Sequence, residues 1–239
     1  MSRFFTEQFT PDGASAVITG DDVKHIAKVL RLREGDAVEI CDGKGLEYSG
    51  VISKIGAAEV LVTVGKPVPS AAEARHRVTL FQGYPKAGKL ETVIQKCTEL
   101  GVDRVVPVVT KRSVAVPSGD SASKLTRWNR VAEEAAKQSR RGRIPQVTAP
   151  IALKEVSLAG FDTALVAYEG ERSVTLKQAL QRVSGDQIAL FIGPEGGFAA
   201  EEIDFLKEGG AVSVTLGARI LRTETAGPAM LAQVLYELE

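Results

Sequence analysis

Two glycine-centred turns lie in the last quarter of this 239-residue chain: Ile192-Gly193-Pro194-Glu195-Gly196-Gly197-Phe198, and Leu216-Gly217-Ala218-Arg219-Ile220-Leu221-Arg222-Thr223-Glu224. Each follows a short apolar run, residues 188–192 and 212–216, that reads as a strand. Glycine admits positive φ and close approach, so two such loops at the ends of neighbouring strands suit a small polar cofactor held through main-chain groups. Either turn alone also fits an ordinary strand-to-helix connection. The pair, in this order, fits that reading poorly.

Other chemistries lack parts. A conventional dinucleotide site places GxGxxG after the first strand of an α/β domain, and that fingerprint is absent. Gly83-Tyr84-Pro85-Lys86-Ala87-Gly88-Lys89 fits GxxxxGK, but the phosphate-binding loop next needs a hydroxyl for magnesium, and the next residue is Leu90. Lys86 and Lys89 are then cations at a helix start, where the dipole disfavours them unless an anion is near; two solvated lysines are the alternative. The two histidines, His25 and His76, form no HxxxH or HxH pair, and the two cysteines, Cys41 and Cys97, form no CxxC. A metal site and a Ser/His/Asp hydrolase are therefore not expected, and the thiols suit a reducing compartment.

Charge is balanced overall, with 30 basic and 30 acidic residues, which argues against a protein that coats nucleic acid non-specifically. Its distribution is uneven. Residues 122–143 carry seven basic side chains against two acidic, and residues 195–239 carry three against eight. The basic block ends in Lys137-Gln138-Ser139-Arg140-Arg141-Gly142-Arg143, after a helix whose apolar face holds Trp128, Val131, Ala132, Ala135 and Ala136. Cations there suit the helix dipole. Guanidinium forks also match phosphate oxygens, which favours Arg140 and Arg141 as RNA-backbone contacts.

The elements that must position these residues fall into two groups. Residues 37–41, 46–55 and 60–64 read as strands separated by glycine turns, hence a small barrel, preceded by a helix over residues 22–30 with Val23, Ile26, Ala27 and Leu30 on one side. Residues 65–73 are rich in proline and small side chains and read as a linker. Beyond it, strands at 78–81, 105–109, 164–167, 188–192 and 212–216 alternate with helices, the pattern of a mostly parallel sheet covered on both faces. No stretch reaches the roughly 18 apolar residues of a membrane span. The start, Met1-Ser2-Arg3-Phe4-Phe5, has no signal layout, and a cytoplasmic location is expected.

On these residues the chain resembles the RsmE-type 16S ribosomal RNA uridine N(3)-methyltransferases of the SPOUT superfamily. The resemblance runs along nearly the whole chain. It is carried by Arg3-Phe4-Phe5, by His25 with Val29-Leu30-Arg31, by Lys86 and Lys89 through residues 95–101, by Trp128 with residues 134–139, and most specifically by residues 192–198 and 216–226. It implies a PUA-like β-barrel domain over residues 1–70 and a SPOUT-type α/β knot over residues 71–239, with a C-terminal trefoil knot. A homodimer acting on 16S ribosomal RNA or the small ribosomal subunit is implied, with no metal and no membrane.

The same resemblance implies S-adenosylmethionine held among three loops: Glu169 from the first; Ile192, Gly193, Pro194, Glu195 and Gly196 from the second; Leu216, Gly217, Ile220, Leu221, Arg222 and Thr223 from the third. Arg222 is the candidate catalytic residue, stabilising a uracil anion or binding the target phosphate. Glu195 and Glu224 are read as partners of loop or helix amides rather than bases. Arg3, Lys24, Arg31, Lys86, Lys89, Arg140 and Arg141 are assigned to the RNA. Two alternatives stay open: a catalytically silent RNA-binding assembly factor on the same scaffold, and ribose 2′-O-methylation.

Overall fold

The structure, a computed structural model, describes residues 1–86, 88–115 and 121–239. The chain divides into two compact units, Met1–Glu73 with Ala136–Ile144, and Ala74–Ala135 with Pro145–Glu239. The division at Glu73 ends the proline-rich linker, but Ala136–Ile144 belongs to the first unit, so a single cut at residue 70 does not describe the organisation. Glu73 supplies the reason: its Oε1 accepts from the amides of Gly142 at 3.0 Å and Arg143 at 3.1 Å, binding that segment to the barrel unit.

The first unit is one mixed sheet. Strand β1 (Ser2–Phe5) lies parallel to β3 (Ala37–Cys41); β4 (Leu46–Ile55), β5 (Glu59–Val64) and β2 (Ser15–Thr19) continue it antiparallel, in the order β1-β3-β4-β5-β2. The short β6 (Val68–Pro69) pairs with the start of β4. Alternate side chains, among them Phe4, Ala16, Ile18, Val38, Ile40, Ile52, Val60 and Val62, point to one shared core, as a two-residue period requires.

The expected helix over residues 22–30 is instead one α-turn, α1 (Asp21–Lys24), followed by a π-helical turn, His25–Val29. Hydrogen bonds from Leu30 N to His25 O and from Leu32 N to Ile26 O close the wider turn. Val23 and Ile26 reach the core, whereas Ala27 and Leu30 stay exposed and Val29 is 66% exposed.

The second unit is a parallel sheet. Its strands are β7 (Arg77–Gly83), β8 (Arg104–Val109), β9 (Gln146–Val147), β10 (Ile151–Ala152), β11 (Thr163–Ala167), β12 (Gln187–Ile192) and β13 (Val212–Val214), in the order β10-β8-β7-β12-β11-β13 with β9 beside β8. Helices α2 (Lys89–Glu99), α3 (Ser121–Gln138), α4 (Leu176–Leu180), α5 (Ala200–Glu208) and α6 (Thr223–Leu238) complete it. Alternation along the strands feeds two cores. Leu80, Leu190 and Ile192 pack with Val93 and Ile94 of α2 and Met230 and Leu231 of α6; Phe81 and Phe191 pack with Phe198 and with Ile203 and Leu206 of α5.

The strand order determines where the chain must cross. Strand β13 lies at the sheet edge beyond β11, yet α6, which follows it, packs on α2, β7 and β12. Residues 215–222 therefore pass back over the ends of β11 and β12. The two glycine turns are consequently not on neighbouring strands, since β11 separates β12 from β13.

Candidate active site

Three loops leave the C-terminal ends of β11, β12 and β13, where open parallel sheets bind ligands. They enclose a cavity of about 400 Å³ within the second unit, inside the roughly 300–1,000 Å³ range of small-molecule sites. From the first loop come Tyr168, Glu169 and Arg172; from the second Ile192, Gly193, Pro194, Glu195, Gly197 and Phe198. The crossing segment gives Leu216, Gly217, Ile220, Leu221 and Arg222, and Thr223 and Ala226 of α6 close the space. Gly196 is the exception among the residues expected to hold a cofactor. Its carbonyl accepts from Arg112 Nη1 at 3.1 Å, outside the lining, so its service is to fasten the loop from behind.

Close approach explains the glycines. A Cβ on Gly193 would stand 3.0 Å from Gly197 Cα, so a side chain there would require the second loop to give by a few tenths of an ångström. Gly83, the last residue of β7, lies against the same loop: a Cβ there would stand 2.3 Å from Pro194 N and 2.5 Å from Pro194 Cδ. In the GxxxxGK stretch this glycine thus makes room for protein backbone rather than phosphate; Ala87 of that stretch lies outside the described residues.

Glu171, which belongs to no motif, pins the first loop. Its Oε1 accepts from the amides of Arg172, Ser173 and Val174 and from Ser173 Oγ at 2.6 Å, while Oε2 accepts from Ser213 Oγ of β13 at 2.6 Å. The hydroxyls of Ser173 and Ser213 and these amides hold its carboxyl well below the usual carboxylate range.

At the rim, Lys89 Nζ stands 3.1 Å from Glu195 Oε1 and 3.1 Å from Glu224 Oε2. The cation at the start of α2 therefore has its anions, supplied by the cavity's own loop and by the first turn of α6. Glu224 and Glu195 raise the Lys89 ammonium above its ordinary range. Burial pushes the Glu195 carboxyl up, but its own backbone amide, Lys89 and the Lys86 amide outweigh that and bring it below its usual range. Glu224 is lowered by its own backbone amide and, against some desolvation, by Lys89. Arg222 caps α6 and is exposed beside this cluster.

The family model described as RNA methyltransferase domain matches residues 72–235, and that described as RNA methyltransferase PUA domain matches residues 18–65. The Ribosomal RNA small subunit methyltransferase E of Bacillus subtilis is 34% identical over 250 residues, covering 100% of this chain and 98% of that protein. The chain belongs to this RNA methyltransferase family. The protein of the same name from Mycobacterium bovis is 35% identical over 240 residues, covering 97% of this chain and 90% of its own. A crystal structure of a Ribosomal RNA small subunit methyltransferase E from Neisseria gonorrhoeae bound to S-adenosyl methionine aligns with a TM-score of 0.84 at 27% identity, covering 98% of this chain and 96% of that one. The fold is accordingly of SPOUT type with an N-terminal PUA-like domain.

The cations assigned to RNA separate into two kinds in this methyltransferase. Lys24, Arg31 and Arg140 on the barrel unit and Lys86 on the catalytic unit are exposed. Arg31 and Arg140 are the two non-glycine residues with positive φ among the described ones, at 54° and 61°. Arg3 and Arg141 are not available in the same way. Arg3 pairs with Glu39 at 3.2 Å and Glu47 at 3.0 Å and donates to the Arg140 carbonyl. Arg141 is 3% exposed and pairs with Glu73 at 2.7 Å. A buried guanidinium needs a fixed partner, and these ion pairs tie Arg3 and Arg141 to segments far away in sequence. Lys89 is likewise engaged by Glu195 and Glu224.

Among the described residues no group of His, Cys, Asp and Glu could hold a metal, and no helix is long and apolar enough to cross a membrane.

Proposed function

We propose that this chain is an S-adenosylmethionine-dependent methyltransferase that methylates N(3) of a uridine in 16S ribosomal RNA of the small subunit. The observation that carries the reading is the three-loop cavity itself. Its lining combines apolar walls from Ile192, Leu216 and Leu221 with close main-chain groups around Gly193 and side chains of both signs. That set fits a ligand made of a flat base, a sugar and a charged amino-acid tail. The names of the full-length relatives and the cofactor in the Neisseria gonorrhoeae structure support the same reading.

The cofactor supplies an electrophilic methyl on a sulfonium sulfur. The chain's own task is alignment: the three loops hold one reactant, and the rim around Lys89 and Arg222 receives the other. N(3) must lose its proton to water as it becomes methylated, and Arg222, exposed at the rim, would stabilise the uracil anion. Glu195 and Glu224, both below their usual range beside Lys89, are weak proton acceptors.

RNA would be gripped by Lys24, Arg31 and Arg140 on the barrel unit and Lys86 on the catalytic unit. The reading includes a homodimer and a cytoplasmic location, where small subunits are made. Nucleoside mass mapping of small-subunit ribosomal RNA from a strain lacking the gene tests the assignment: one 3-methyluridine should disappear, and an unchanged map would reject it.

A further inference from the structure

Gln82 lies where β7, the Gly193 loop and the start of α6 meet. It is 0% exposed and pairs in register with Ile192, the residue before Gly193. Its Nε2 donates to Thr223 Oγ1 at 2.8 Å and to the Gly83 carbonyl at 3.2 Å, and the Thr223 hydroxyl donates in turn to the Gly193 carbonyl at 2.7 Å. The relay has a direction, because a hydroxyl has one proton to give. Turning the amide over would set its oxygen against the Gly83 carbonyl and take the Thr223 proton away from Gly193.

Packing does not account for this amide. Its Oε1 is buried without a hydrogen-bond partner, beside Gly227, where a Cβ would stand 3.1 Å away. A buried unpaired acceptor is costly, and a methionine would fill the same space without that cost. The bonds from Gln82 to Thr223 and from Thr223 to Gly193 join three segments that are far apart in sequence, and two of them, at Gly193 and Thr223, line the cavity.

We propose that Gln82 is a positioning residue for cofactor binding: through the Thr223 hydroxyl it fixes the Gly193 carbonyl and holds the second loop against α6 in its ligand-receiving form. This rests on the reading of the cavity as an S-adenosylmethionine site. Gln82→Met and Thr223→Val each break the relay while keeping volume, and each is expected to weaken S-adenosylmethionine binding about tenfold in calorimetry, the worth of one neutral hydrogen bond. In Gln82→Met, whose side chain does not line the cavity, turnover at saturating cofactor should stay within about twofold, the signature of lost ground-state binding.

Because the links act in series, the double variant should bind no more weakly than the weaker single variant, and Thr223→Ser should restore native affinity. Amide exchange at residues 193–197 in the cofactor-free protein should quicken in Gln82→Met. Additive losses, or native affinity with native exchange, would overturn the proposal. If Gln82→Met does not fold, Thr223→Val with its serine rescue decides the matter. Absence of cofactor binding by the native chain would instead defeat the cavity reading, and the exchange comparison would still judge the relay.

Discussion

At the rim of the cavity Lys89 engages Glu195 and Glu224 together, so neither carboxylate is a free base. Both glutamates titrate lower in the folded chain than their ordinary 4.5. Their contribution to stability is thus present above that value and is lost as pH falls through the depressed folded values. Lys89 titrates higher when folded, so its share is present below the ordinary lysine range and is lost as pH rises through the raised value. Lys89→Met should therefore lower the thermal midpoint near pH 7, with the gap from the native chain closing as pH drops below the carboxylate range; a gap constant down to about pH 3 would contradict this. The sequence marked Lys89 as a cation needing an anion but could not supply the partners, which lie 106 and 135 positions further on. Arg222→Ala should keep the fold and bind cofactor within a few-fold, yet lose on the order of a hundredfold in single-turnover methyl transfer. Near-native transfer would remove it from the mechanism.

At the level of elements, the glycine turns were legible because strand-like runs precede them and glycine has a local conformational meaning. What they are glycines against was not. Gly83 and Gly193 matter through Pro194 and Gly197, and the first of these contacts joins residues 111 positions apart. Gly83→Ala should destabilise the catalytic unit by about 1–3 kcal/mol, since the colliding atoms are backbone and ring rather than a flexible side-chain end. Chemical denaturation measures it, and a native midpoint would show that the loop yields. Periodicity located β7, β8, β11, β12 and β13 but not their order, so β11 between the two turns escaped notice. In the barrel unit, β1 and β2 are only four and five residues long, and β1 pairs with β3 some 36 positions away. β1 carries no turn signal of its own; β2 follows one, Pro11-Asp12-Gly13, but five residues are too few for a two-residue period to stand out. The π-turn at His25–Val29 keeps the apolar spacing of an α-helix at Val23 and Ile26 and abandons it afterwards, a change composition does not encode.

For the whole molecule, composition indicated a neutral chain with a basic block, and the fold decides which of those charges are free. Arg140 is exposed while its neighbour Arg141 is buried on Glu73. Arg31→Gln and Arg140→Gln should each weaken RNA binding and flatten its dependence on log salt by about one unit, with cofactor affinity unchanged. Arg141→Gln should instead lower the melting temperature, because breaking a buried pair strands the remaining charge. An unchanged salt slope in the first two variants would move the RNA surface elsewhere. Periodicity and the proline-rich linker conveyed the two-part plan, and the resemblance along the full length added the three-loop arrangement. It did not convey the division inside α3 or the ties at Arg3 and Arg141, which depend on long-range ion pairs. The most direct test of the account is transfer of an isotope-labelled methyl group from S-adenosylmethionine to unmodified small-subunit ribosomal RNA, with the product nucleoside identified by mass spectrometry. Label in 3-methyluridine is the expected result; no label, or label on a ribose, would contradict it.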